Sequence, residues 1–196
     1  MKQSTFLAWI LRMNLVDRWA VMHLIKKESV AEHSHQVAVI AHLIAIIKNT
    51  YCDGDIDPNK AATVALYHEV SETKLQDINH VTKYHNPVLT KEFKKIEEMA
   101  EIECLNTLPD ELKDAFKHLL VQKEVEPEYK KIVKAADIIS AYLKACDEIK
   151  FQNHEFKNVK QRLKSKLDDL RKEMPEVDIF LKIFEEKSLV NIEDLS

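Results

Sequence analysis

The chain has 196 residues, 45% of them hydrophobic and 32% charged, with a formal net charge of −4. That length fits one domain spanning 1–196 with a sizeable core, and the mild acidity argues against a nucleic acid polymer as partner. One glycine and five prolines leave little turn chemistry for a β-rich fold, so the composition predicts an all-α, single-domain helical bundle.

Phe6, Ile10, Leu11 and Met13 predict a first helix ending near Asn14, followed by a loop through Arg18 and Trp19. Ser29 to Tyr51 reads as a long helix, with Ser29 as cap and Glu32 as the reciprocal partner of a capping box. Asp57-Pro58 opens the next helix, expected to run to about Thr73. Gln76 to Pro87 is polar and expected to be irregular. Thr90 to Leu105 is amphipathic, with Phe93, Ile96, Met99, Ala100 and Cys104 on one face. Pro109-Asp110 opens a helix to about Val121, and Pro127 precedes one that carries Asp137 and reaches about Ile149. Asn158 to Met174 is a charged helix ended by Pro175, and Val177 to Glu186 forms the last. Cys52, Cys104 and Cys146 lack a CxxC pair and read as reduced thiols of a cytoplasmic protein. No signal peptide is visible, and no apolar run is expected to reach bilayer length, so no membrane partner is expected.

Ionisable residues intrude where a helical core would rather have apolar ones. His33 precedes Val37, Ile40 and Ile44; His68 and Glu69 follow Ala61, Val64 and Ala65; Asp137 sits among Ile132, Val133, Ile138 and Ile139. Burying an unpaired imidazole or carboxylate is costly, so such groups are usually paired or bound to a metal. Three intrusions on three predicted helices suggest one shared divalent cation. Two imidazoles and two carboxylates suit Mn, Co, Fe or Zn better than Ca. Glu72 lies four residues beyond His68, on the same face of a common helix. On spacing alone, each of these residues is also compatible with a hydrogen-bonded core group or an exposed helix carboxylate. His35 and His42 lack an acid partner and read as structural or solvent-facing.

His33, the His68-acid pair and Asp137 follow the H…HD…D order of HD-domain phosphohydrolases. The likeness is closer still. Met1-Lys2-Gln3-Ser4, Arg18-Trp19, Glu32-His33-Ser34, Tyr67-His68, Ser71-Glu72, Lys83-Tyr84, Asp137 and Ala141-Tyr142-Leu143-Lys144 resemble the bacterial 5′-deoxynucleotidases of that superfamily, nearly end to end. The resemblance implies an HD-type helical bundle that hydrolyses deoxyribonucleoside 5′-monophosphates and works as a homodimer. The apolar side of the Thr90–Leu105 helix is a candidate contact between copies. It implies a divalent transition cation such as Co or Mn on His33, His68, Glu69 and Asp137. It assigns Glu72 and Arg18 to catalysis, Glu72 as acid/base and Arg18 as the phosphate clamp. Substrate contacts are expected from Arg18, Trp19, His33, Glu69, Asp77, Ile78, Asn79, His80 and Asp137. Trp19 would pack near the sugar and exclude a 2′-hydroxyl, and Asp77 would accept a hydrogen bond from the 3′-hydroxyl.

Two positions depart from the family pattern. Glu69 stands where the family has aspartate, and Asp77-Ile78-Asn79-His80 lacks the family's proline and threonine. The longer Glu69 side chain leaves two alternatives beside the deoxynucleotidase: a phosphohydrolase of altered substrate choice, or a weakly active nucleotide-binding protein. A metal is still expected, because the charge is retained.

Overall fold

The computed structural model describes residues 3–195, so Met1 and Lys2 of the resemblance lie outside the described residues. Its central helix, α2 (Val30–Tyr51), begins with the expected reciprocal cap. Ser29 Oγ accepts the Glu32 N–H at 3.2 Å, and the Glu32 carboxylate accepts the Ser29 N–H at 2.7 Å. Around α2 pack α3 (Pro58–Tyr67), α8 (Pro127–Lys150) and α10 (Pro175–Phe184), with α9 (Lys157–Glu173) against α8. Ala41, Ala45, Ala61, Ala65, Ala135 and Ala136 are buried at these contacts, where small side chains let helix backbones approach closely.

A smaller apolar cluster forms from Val70, Cys104, Leu105, Leu108, Leu120 and Val121, with Phe6, Tyr67 and Phe116 packed on it. It joins α1 (Phe6–Arg12), α6 (Pro87–Asn106) and α7 (Asp110–Leu120) to the end of α3. Two short helices, α4 (Glu72–Leu75) and α5 (His80–Lys83), complete the element order with three 3-10 turns. No strand occurs among the described residues; one isolated bridge pairs Asp17 with Ser29 and fixes the base of the loop that carries Arg18.

Several expectations are corrected. Helix α3 stops at Tyr67, not near Thr73. The segment expected to be irregular contains α5, and α6 already starts at Pro87, where Asn86 Oδ1 accepts the Leu89 N–H at 2.8 Å. Pro175 ends α9 and also opens α10 from its first turn. The α6 face is split, since Ala100 and Cys104 are buried but Met99 is 68% exposed. By length and hydropathy alone α2 is apolar enough to cross a membrane, contrary to expectation. Ten of its residues are buried against the surrounding helices, which accounts for that character.

Glu101 on α6 is buried, with its carboxylate accepting the Gln122 N–H at 2.9 Å. Burial, with Glu97 and Glu98 nearby, outweighs that bond and pushes its carboxyl up to about 7. The folded state therefore holds a proton that the unfolded state loses near pH 4.5, and stability falls as pH rises from about 4.5 to about 7. Glu101→Gln should flatten that part of the urea-unfolding profile. Parallel profiles for the two proteins would remove Glu101 as its source.

Candidate active site

The break after Tyr67 is made by a side chain. His68 Nδ1–H donates to the Ala65 carbonyl at 2.6 Å and competes with the backbone for that acceptor. The chain continues in three-residue turns, with Val70 N–H on Tyr67 O and Glu72 N–H on Glu69 O. His68 and Glu69 therefore lie in a turn and Glu72 opens α4, so the three do not share one regular helix. The bond also fixes the His68 tautomer, leaving the Nε2 lone pair free.

The four residues that intruded on the sequence pattern converge. One ligand atom each from His33, His68, Glu69 and Asp137 lies within 4.8 Å of all the others. His33 Nε2 stands 3.3 Å from Asp137 Oδ1, and His68 Nε2 stands 3.4 Å from Glu69 Oε1. Both Nε2 atoms are buried without a hydrogen-bond partner. Two orphaned imidazole nitrogens facing two carboxylates form a donor set that fits a divalent transition ion. Glu69 reaches this centre despite its extra methylene. At His33, Ser140 Oγ lies 3.2 Å from Nδ1 and donates to Gln36 Oε1, while Arg18 Nη1, which can only donate, lies 2.9 Å from the same nitrogen.

The electrostatics separate the acids. Burial drives the Asp137 carboxyl upward, but Lys134 and His33 more than offset this and hold it well below the usual carboxylate range. Lys134 Nζ bonds Asp137 Oδ2 at 2.6 Å. Burial lowers His33, with help from Arg18, which favours the neutral imidazole that a ligand requires. Glu72 goes the other way: burial, then the Glu69 and Asp77 carboxylates, raise it well above its ordinary value. One of its oxygens is buried and unpartnered. Glu69 ends below its ordinary value because His68 more than offsets its burial. An ionised Glu69 beside a protonated Glu72 is the arrangement these surroundings favour.

Arg18 and Trp19 come from the loop between α1 and α2. Arg18 Nη1 lies 2.9 Å from Glu28 Oε2 and 2.9 Å from His33 Nδ1. Trp19 sits at φ 60°, a backbone conformation unusual for a bulky residue, and its N–H donates to Asp77 Oδ2 at 2.9 Å. The loop is anchored farther along by a buried pair. Glu148 accepts the Ile25 N–H at 2.9 Å and Lys144 Nζ at 2.6 Å, while Lys144 also donates to the Lys26 carbonyl at 2.6 Å. Lys144 and the Ile25 N–H overcome the effect of burial and bring Glu148 down to about 2.

Arg18, Trp19, Glu69, Glu72, Asp77, Ile78, Asn79, His80 and Asp137 all line one cavity of about 680 Å³. Asn79 spends its side chain capping α5, accepting the Thr82 N–H at 2.9 Å. His80 packs on Tyr84 with ring centroids 4.6 Å apart. His35 is exposed and His42 half-buried, outside the ligand cluster. Glu28, Lys134, Ser140 and Glu148 were not singled out from sequence, and Lys144 entered only as part of the resemblance; the spacing of Lys134 one turn before Asp137 was the available signal for one of them.

Residues 5–188 match the 5′-deoxynucleotidase YfbR-like family. The chain belongs to that family. It is accordingly a 5′-deoxynucleotidase-type phosphomonoester hydrolase with the HD-domain fold. The 5′-deoxynucleotidases of Vibrio atlanticus and Vibrio cholerae are each 40% identical to it over 196 residues, covering all of both chains. An HD-domain phosphohydrolase from Listeria innocua matches its fold with a TM-score of 0.80 at 23% identity, covering 91% of this chain and 85% of the other. A cyanophage S-2L HD phosphohydrolase bound to dA and one catalytic Zn²⁺ ion matches with a TM-score of 0.65 at 16% identity, covering 93% and 94%. Within the family, this member carries Glu69 as the acid beside His68.

Proposed function

We propose that the chain acts as a single-domain, metal-dependent 5′-deoxynucleotidase, converting deoxyribonucleoside 5′-monophosphates to deoxynucleoside and phosphate. His33, His68, Glu69 and Asp137 would hold the ion. The observation that carries the reading is the pair of buried, unpartnered imidazole nitrogens facing Glu69 and Asp137. A divalent ion there supplies Lewis acidity toward a phosphoryl oxygen. Arg18 neutralises and orients the phosphate with its planar guanidinium. Water attacks phosphorus, and Glu72, whose surroundings favour the protonated form, gives its proton to the leaving 5′-oxygen as that P–O bond breaks and regains one from the added water. Asp77 holds the Trp19 backbone through one oxygen and leaves the other for the sugar 3′-hydroxyl. Ile78, Asn79 and His80 complete the substrate-facing lining of the cavity.

Phosphate release from each deoxynucleotide and ribonucleotide, with Co²⁺ or Mn²⁺ and with chelator, tests this. Metal-dependent release from the deoxynucleotides alone is expected; release that persists in chelator would defeat the ion assignment. Trp19 is wedged between Arg18, 5.4 Å from its ring centroid, and Phe156, also 5.4 Å away centroid to centroid. Trp19→Ala should raise kcat/KM on ribonucleotides relative to deoxynucleotides. An unchanged ratio would take Trp19 out of sugar selection.

The proposed assembly is a cytoplasmic homodimer. Three free cysteines suit a reducing compartment, and Ile96, Met99 and Ile102 leave an apolar stripe on α6 open to a second copy. Light scattering at the mass of one chain would contradict the dimer.

A further inference from the structure

The cavity does not end at the four ligands. Helices α8 and α9 form one wall and are joined by a short connection, so they run antiparallel. From the connected end, its lining passes through Ala141 and Val159, then Ile138 and Leu163, and finally Lys134 and Lys166. Asp137 stands where the apolar stretch gives way to the cationic one. A nucleoside suits the apolar end, which Trp19 also lines, and its 5′-phosphate then falls at the ligand cluster. The cationic end lies beyond that phosphate.

Two of the cations there lack a direct ion pair, although Asp137 acts on Lys166 from a distance. Arg18, Lys83 and Lys134 each have a carboxylate partner, in Glu28, Glu97 and Asp137. Arg162 and Lys166, one turn apart on α9, have none among the described residues. Arg162 Nη1 instead faces His80 Nδ1 at 3.4 Å, and its Nε is buried without a partner. Burial, then Lys134 and Arg162, depress the Lys166 ammonium; burial, Arg162 and Lys166 depress His80. Like charges held together at the rim of a cavity disfavour one another unless an anion sits among them. Two spare positive charges match one phosphoryl dianion.

We propose that Arg162, Lys166 and His80 form a second phosphate subsite, which takes the distal phosphoryl group of a deoxynucleoside 5′-diphosphate whose proximal phosphate occupies the hydrolytic position. The inference rests on the deoxynucleotidase reading for the position of that proximal phosphate. The diphosphate then competes with the monophosphate substrate, so the cavity senses a more highly phosphorylated nucleotide. Free orthophosphate carries the same chemistry and is the alternative source of the anion.

The test is the inhibition constant of deoxyadenosine 5′-diphosphate against conversion of labelled deoxyadenosine 5′-monophosphate to labelled deoxyadenosine. Lys166→Gln, an exposed position, should raise that constant about tenfold, the loss of one charge-assisted contact, with KM for the monophosphate nearly unchanged. Arg162→Gln should do the same, and circular dichroism of both variants controls for folding. An unmoved inhibition constant overturns the subsite. So does an equal rise in KM, because the cluster would then serve the scissile phosphate. A change confined to inhibition by orthophosphate overturns it as well. Failure of the wild-type protein to turn over the monophosphate would strike the deoxynucleotidase reading instead. In that event, calorimetric binding of the diphosphate to chelator-treated protein, weakened by Lys166→Gln, still supports the subsite, and equal binding by both proteins overturns it.

Discussion

Glu72→Gln is expected to lower kcat on deoxyadenosine 5′-monophosphate by about 10²–10⁴-fold, the usual worth of a positioned general acid. Glutamine has nearly the same volume and reach but no carboxyl proton to give. The carboxyl it replaces is buried beside two other acids and raised well above its ordinary value. Because Glu72 lies outside the four-ligand cluster, metal content by elemental analysis should not fall. A turnover number within tenfold of wild type would leave Glu72 without a catalytic part.

His68→Ala should do more damage. It removes one of two imidazole donors and also frees the Ala65 carbonyl, which then can accept the Glu69 N–H and carry α3 onward as a regular helix. That change swings the Glu69 carboxylate away from Asp137. Loss of stoichiometric metal and a fall in activity of about 10³-fold or more are expected, since the ion's share of barrier lowering is several kcal/mol. His35→Ala, on the exposed face of α2, is the control and should change neither readout. Full metal occupancy in His68→Ala would show that the other three residues suffice.

The parts of the site legible in the sequence are those whose burial is costly. His33, the His68-acid pair and Asp137 interrupt apolar periodicity, and a carboxylate or imidazole seldom does so without a partner. The capping box at Ser29 and the proline start at Pro58 were legible because their chemistry is local. The break at His68 was not, because a continuous apolar pattern says nothing about which donor wins the Ala65 carbonyl. Glu28 and Lys134 look in sequence like any solvated helix or loop charge; only the folded chain shows one against Arg18 and the other against Asp137. The polar run after Gln76 hid α5 and the start of α6, since caps such as Asn79 and Asn86 also occur in ordinary turns.

The Lys144–Glu148 pair has a consequence for how nucleotide arrives. Lifting the stretch around Ile25 and Lys26 would leave the Lys144–Glu148 pair intact but take a backbone hydrogen bond from each buried charge, which is more costly than losing one at an exposed pair. The Arg18–Trp19 edge is thus a fixed jamb and not a swinging door. Nucleotide association is then expected to follow a single step, with no opening step ahead of it.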